Sequence, residues 1–196
     1  MNSTGIIILA AGSSSRLGRP KQLLPWKGTT LLGHIIHEAM QASLDPIVVV
    51  TGAFAEEVSN ILAAEPVIVA HNPDWSEGMA SSIVKGISAL LMAAPVTGSA
   101  IVAVCDQPFL SATLLRDLAE RQTPDHPIVA CTYDNVIATP ALFHHSLFDE
   151  LLKLRGDAGA KKIIRDHAEQ VTTLPFPQGD LDIDTMEAYH AVLKMY

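Results

Sequence analysis

Five short runs of this chain are apolar at nearly every position: Ile6 to Leu9, Ile47 to Thr51, Val67 to Ala70, Ala100 to Cys105 and Ile128 to Thr132. A strand with no polar face has nothing to offer water, so it must be covered on both sides, as the strands of parallel sheets are. The intervening segments supply the cover. Leu31, Leu32, Ile35, Ile36, Ala39 and Met40 recur at helical spacing behind Thr29-Thr30, either of which is able to cap the helix, and 56–64, 81–92 and 112–121 carry similar patterns. This βαβαβαβα alternation predicts an α/β fold, a three-layer, Rossmann-like, mostly parallel sheet with helices on both faces. No repeat, low-complexity tract or linker interrupts it, so residues 1–196 are expected to form a single domain.

The rhythm changes after residue 132. Asp134-Asn135 reads as a turn between Cys131-Thr132-Tyr133 and Val136-Ile137-Ala138, which predicts a hairpin. Helical stretches 144–154 and 158–168, a short strand 171–174 and a final helix from Thr185 follow. Residues from about 133 to 184 are expected to form a wall or lid beside the main sheet. Ligands of open α/β sheets settle outside the carboxyl ends of the strands, so the loops after Leu9, Ala70, Cys105 and Thr132 are expected to line one crevice.

Composition narrows the function classes. A chain of 196 residues that is 48% apolar can bury a core without disulfides or metal, and its apolar stretches are too short or too interrupted to span a membrane. The first residues carry no cationic leader, which predicts an untargeted, soluble, cytoplasmic protein. Cys105 and Cys131 both lie in apolar runs and read as buried free thiols in a reducing compartment. A net charge of −8 opposes nucleic-acid binding, which depends on many Lys and Arg contacts to phosphates.

A single small anion held by local cations is another matter. The first strand opens into Ala10, Ala11, Gly12 and Ser13 to Ser15, then Arg16, Gly18 and Lys21. Gly12 and Gly18 are separated by five residues and Arg19 follows, which departs from the Walker A spacing, and no GxGxxG is present. The chemistry still suits phosphate: small residues let backbone N–H groups approach, Arg16 grips bidentately and Lys21 adds a point charge, each contact being worth about 1.5–3 kcal/mol. The plainer reading is a βα turn with solvated cations.

Three further stretches face the same predicted crevice. In 71–82, Gly78 permits close backbone approach, and Ser81 and Ser82 are expected to cap the next helix, while His71 and Trp75 fit either packing or ligand contact. Asp106, at the end of an apolar strand before Gln107-Pro108, presents a hard oxygen ligand suited to Mg²⁺ held partly by substrate phosphates. Asp182 and Asp184 alternate around Ile183 and face one side if extended; either is a second anchor, or both serve only the following helix N-terminus. His34 with His37, and His144 with His145, lack a third zinc ligand at a telling spacing, and Ser13 to Ser15 lack a partner histidine and the GxSxG elbow of a serine nucleophile.

Together these residues carry a family resemblance. LAAGSSSRLGRPKQLLP resembles the signature loop of nucleotidyltransferases related to the molybdenum cofactor cytidylyltransferases, LAAG-x-S-x-R-x-G-x-x-K followed by an apolar pair and Pro, with every fixed position present. The resemblance extends to NP-x-W-x-x-G-M-x-x-S at 72–82, to Cys105-Asp106-Gln107-Pro108, to GD-x-GA-[RK] at 156–161 and to DIDT at 182–185. It implies a nucleotide-diphospho-sugar transferase-like fold. It implies that the base lies near Leu9, Ala10, Ala11 and Gly12, that the phosphates lie at Ser13, Ser14, Arg16 and Lys21, and that Gly78, Ser81 and Ser82 touch base and ribose. Asp106 and Asp184, or Asp182, would hold the metal, and Gln107, Pro108, Pro140, Gly156, Asp157, Gly159 and Lys161 the acceptor. The double Ala of LAAG resembles cytidine-using members. Ala138-Thr139-Pro140 departs from the family's Gly-x-Pro, and the lost glycine narrows the backbone's choices beside the acceptor.

The expected reaction is Mg²⁺-dependent transfer of CMP from CTP, or of another nucleotide from GTP or ATP, to the phosphate of molybdopterin or the molybdenum cofactor, with pyrophosphate released and a molybdenum hydroxylase as receiver of the product. Arg16, Lys21 and Asp106 would be its catalytic residues. A sugar or polyol phosphate acceptor, or a non-catalytic cofactor-binding maturation protein, are the competing readings.

Overall fold

The computed structural model describes residues 3–195; Met1, Asn2 and Tyr196, the ends of the expected domain, lie outside it. Seven strands form the sheet: β1 (Thr4–Ala10), β4 (Ile47–Thr51), β5 (Ile68–His71), β6 (Ser99–Val104), β7 (Ile128–Tyr133), β8 (Val136–His144) and β9 (Val171–Pro175). Their order is β5-β4-β1-β6-β8-β7-β9, and every neighbouring pair is parallel except the two that involve β8. The carboxyl ends of the other six strands therefore lie along one edge, where ligands of such sheets bind.

Alternate residues of each central strand feed opposite faces, as the pleat requires. Ile6, Ile8, Val49, Ile101 and Val129 pack with α1 (Leu31–Gln41), α2 (Ala55–Leu62) and α4 (Ala112–Glu120); Ile7, Leu9, Val50 and Val102 pack with α3 (Met79–Ala93), α5 (Phe148–Leu151) and α6 (Ala160–Asp166). Helices cover both faces, as the uninterrupted apolar runs require. Thr30 and Ser111 cap α1 and α4 through the backbone N–H groups of Gly33 and Leu114, and Thr185 caps α7 (Met186–Leu193) through that of Ala188.

Three expectations need correction. Ser81 and Ser82 cap nothing, because α3 already begins at Met79 behind Gly78, and both hydroxyls accept from Asn72 Nδ2 instead. The helix expected over 144–154 is shorter and irregular: β8 runs on to His144, its residues 141–143 fully buried between β6 and β7, and His145–Leu147 form a 3-10 turn that leads into α5. The pattern over 158–168 likewise shrinks to α6, since Ala158 and Gly159 belong to the loop before it.

A small hairpin, β2 (Pro25–Trp26) and β3 (Thr29–Thr30), was not expected; Lys27 and Gly28 turn it with positive φ. It inserts Trp26 into a third cluster with Leu17, Ile183, Tyr189 and Val192, which fastens the C-terminal segment to the loop after β1. No described helix is long and apolar enough to cross a membrane.

Candidate active site

The loop after β1 is held from within. Gln22, almost wholly buried, donates its Nε2 to the carbonyls of Ala10 (2.8 Å) and Gly12 (3.2 Å), and Ser14, at φ 49°, accepts from the Lys21 N–H (3.1 Å). These bonds fold residues 10–21 back on themselves and aim the Lys21 side chain across the sheet edge.

Its target lies on two other elements. Lys21 Nζ donates to Asp106 Oδ2 at 2.7 Å and to Asp184 Oδ1 at 2.8 Å, while Arg16 Nη2 reaches Asp184 Oδ2 at 2.6 Å. Asp106 follows β6 directly. Asp184 arrives from the far edge: after β9 the chain returns over the strand ends, fixed by Phe176 N–H to Thr132 O, Gln107 Nε2 to Gly179 O and Ile183 N–H to Asp106 O. Ile183 is buried on the opposite side of that segment, so the flanking carboxylates Asp182 and Asp184 are both turned toward the cleft.

Electrostatics follow from this packing. Burial works against the charge of Lys21, yet Asp106 and then Asp184 outweigh it and raise its pKa. The hydrogen bond from Lys21 leads the effects that hold Asp184 below the usual carboxylate range. Partial desolvation, then the charges of Asp106 and Asp184, push Asp182 up to about 6. Burial, then the Asp106 charge, raises the neighbouring Cys105 thiol to about 12, so it is inert as a nucleophile.

Two adjoining cavities open along the strand ends. The first, about 350 Å³, is lined by Leu9, Ala11, Gly12, Ser13, Lys21, Gly78 and Ser82 among others. The second, about 330 Å³, is lined by Gln107, Tyr133, Thr139, Asp157, Gly159, Lys161 and Asp182 among others. Met79, Val104 and Asp106 belong to both. The crevice expected from the strand ends is therefore a pair of rooms with Asp106 at the doorway.

The candidate residues divide accordingly. Ala10, Ser14, Arg16 and Asp184 stand behind or beside the first cavity and not on its lining; Ser81 is turned away toward Asp74 and Gly78, accepting from Asn72. Pro108 and Pro140 are buried outside the second cavity, and Gly156 lies behind it against α3, its carbonyl accepting from Ala80 N–H at 3.1 Å. Ala138 needs no glycine: it is a buried β8 residue paired with Cys131 and is absent from the positive-φ positions. The register shifts just there, leaving Thr139 and Pro140 as a bulge, and the Thr139 carbonyl accepts from Gln107 Nε2 (3.3 Å) and Tyr133 Oη (3.2 Å).

Sequence reasoning left Gln22, Met79 and Tyr133 without a role, and of the two ambiguous residues Trp75 lines the first cavity whereas His71 lines neither. A polar residue beside the signature lysine was the one available signal for Gln22. Nothing local marks Tyr133, whose place depends on the hairpin.

The donor set fits a divalent metal. Two hard carboxylates already converge on one cation, and Asp106 Oδ1 is buried without a hydrogen-bond partner among the described residues. No group of three or more His, Cys, Asp or Glu among those residues is arranged to hold a metal ion, so the remaining ligands would be substrate oxygens and water.

Comparison with known proteins places this geometry. Residues 6–171 match the family model of the MobA-like NTP transferase domain. The chain is 32% identical to nicotine blue oxidoreductase of Paenarthrobacter nicotinovorans over 95% of each chain. It is 35% identical to the molybdenum cofactor cytidylyltransferase of Escherichia coli (strain K12) over 46% of this chain and 47% of that one. The crystal structure of Rv0371c from Mycobacterium tuberculosis H37Rv superposes with a TM-score of 0.82 at 30% identity and 99% coverage of both chains. A complex of Rv0371c with manganese superposes at 0.80 and 28% identity over the whole of both.

Proposed function

The chain belongs to the MobA-like NTP transferase family and is a nucleotidyltransferase, and from that premise we propose that it transfers CMP from CTP to the phosphate of molybdopterin or the molybdenum cofactor. The observation that carries this reading is the Lys21 ammonium bridging Asp106 and Asp184 beside the small-residue loop after β1, because it gathers phosphate-binding and metal-binding groups at one point. The nucleotide occupies the cavity of Leu9 to Ser13, and the acceptor occupies that of Gln107, Tyr133 and Lys161, with residues 133–184 forming its wall.

An acceptor phosphate oxygen attacks the α-phosphorus, the bond from that phosphorus to the α–β bridging oxygen breaks, and pyrophosphate leaves. The acceptor is already ionised at neutral pH and needs no general base. Lys21 and Arg16 turn from their carboxylates to the β- and γ-phosphates and neutralise the leaving charge, and Lys161 holds the acceptor phosphate near the doorway. Asp106 and Asp184 would then hold the divalent metal, Mg²⁺ or the manganese of the Rv0371c complex, which would supply charge neutralisation at the phosphates. Positioning and preorganised charge account for the acceleration, as in phosphoryl transfer generally.

One relative is named an oxidoreductase, so the test has two arms. Pyrophosphate is followed with Mg²⁺, molybdopterin and CTP, GTP or ATP, and turnover of nicotine blue, the compound in the relative's name, is followed separately. CTP-dependent pyrophosphate release that disappears in Asp106→Ala is the expected result. Release that survives that substitution would sink the metal assignment, and turnover of nicotine blue without release would sink the reaction.

A further inference from the structure

Three side chains among the described residues line both cavities: Asp106, a carboxylate already placed, Val104, the last residue of β6, and Met79, the one flexible apolar side chain among them. Met79 begins α3, is 47% exposed and lines both cavities. A lone exposed apolar side chain is ordinary; what singles Met79 out is its place on the wall that the two cavities share.

Its position is fixed from both sides. Gly78 sits at φ +108°, where an added Cβ would lie 2.5 Å from Gly156 O and 2.6 Å from Asp157 Oδ1. Ala80 N–H donates to Gly156 O at 3.1 Å. A Cβ on Gly159 would lie 2.8 Å from the Met79 sulfur, so the thioether rests directly on that glycine. The turn at Gly78 and the loop at 156–159 are therefore in direct contact on either side of Met79, on the wall that Asp106 also lines.

Resting on the transferase reading above, we propose that Met79 is the partition between the two substrates: it closes the doorway to water and sets the angle at which the acceptor phosphate meets the α-phosphorus. An unbranched thioether suits this task, since it fills an irregular gap and yields when either ligand arrives. Without it, the nucleotide still binds, but water reaches the α-phosphorus. Attack by water breaks the same bond to the bridging oxygen and yields CMP, pyrophosphate and a proton, with no acceptor consumed.

The experiment compares wild type, Met79→Ala and Met79→Leu with Mg²⁺, CTP and molybdopterin, counting both pyrophosphate and dinucleotide product, and measures CTP binding by thermal shift. Met79→Ala is expected to bind CTP within about twofold of wild type, to lose at least tenfold in transfer kcat, and to release two or more pyrophosphates per dinucleotide where wild type releases one. Met79→Leu, of similar volume, is expected to return the ratio to near one. If Met79→Ala keeps both the wild-type kcat and a ratio of one, or if Met79→Leu leaks as much as Met79→Ala, the partition is refuted and the transferase reading stands. A loss of CTP binding in Met79→Ala would likewise refute it, by making Met79 part of the nucleotide site. Wild type that makes no dinucleotide overturns the transferase reading itself, and the partition with it.

Discussion

Replacing Lys21 with Met removes the one cation that Asp106 and Asp184 share, while keeping most of the side chain's volume. Lys21 and Asp106 are 13% and 20% exposed, so their bond lies near the middle of the about 1.5–3 kcal/mol range for hydrogen bonds to charged groups. Asp184 is 36% exposed and keeps Arg16, so its share falls toward the about 0–1 kcal/mol of a surface pair. The expected cost is about 2–3 kcal/mol, which in a chain of this size lowers Tm by about 4–12 °C. Because the folded pKa of Lys21 is raised above 10.5, its contribution is fully present below that pH and disappears only as pH rises through the higher folded value. The deficit should therefore be constant from pH 7 to 9. On the acid side Asp184 is held below 3.8, so its part of the deficit is lost as pH falls below about 4. Calorimetry of wild type and Lys21→Met across this range reads all three features. The double variant with Asp106→Asn, which removes the stranded charge, should recover about half of the loss. A Tm within 2 °C of wild type at pH 7.5 would refute the bridge as a structural element.

Two further predictions concern the same cleft. The raised pKa of Asp182 means that its ionised form is disfavoured in the folded state, a penalty that is absent below about 3.8, grows toward about 6 and persists at neutral pH. Its side chain is well exposed to water, so the penalty is discounted to at most about 1 kcal/mol. Asp182→Asn should raise Tm by up to about 4 °C at pH 7.5, with the gain shrinking toward pH 4; a gain independent of pH would exclude charge as its cause. Gly78→Ala forces a side chain into a backbone conformation costing about 1–3 kcal/mol and drives its Cβ into Gly156 and Asp157. Urea unfolding should show a loss of at least about 2 kcal/mol, and a loss under 0.5 would show that the two loops part freely.

Most of the sheet was legible because its strands are buried on both faces, which leaves an unbroken apolar run that no turn or surface helix imitates. The second strand of the hairpin was expected only at 136–138, whereas β8 runs on to His144, because the bulge at 139–140 interrupts a pattern that resumes with buried residues 141–143. The motifs named Lys21, Asp106 and Asp184 because their chemistry is carried by residue type. They did not show that these three meet, since Lys21 and Asp184 are separated by 163 positions and are joined only through the return of the chain after β9. Thr139 illustrates the limit differently: it contributes a backbone carbonyl, and its aim comes from a bulge whose register no side-chain pattern records. The small hairpin at 25–30 was the avoidable omission, because Lys27-Gly28 between Trp26 and Thr29 has the shape of a two-residue turn.

The antiparallel placement of β8 has a consequence for how such a protein changes over time. Because β7 ends at the ligand edge and β8 starts back from it, the tip at Asp134 and Asn135 follows Tyr133, which lines the second cavity, while the body of the hairpin stays locked between β6 and β9. Residues added at that tip lengthen a rim and disturb no buried layer, and loops of this kind absorb insertions at small cost. Under the proposed assignment of the second cavity to the acceptor, exchanging residues 133–136 between relatives is the change expected to alter acceptor preference without rebuilding the core.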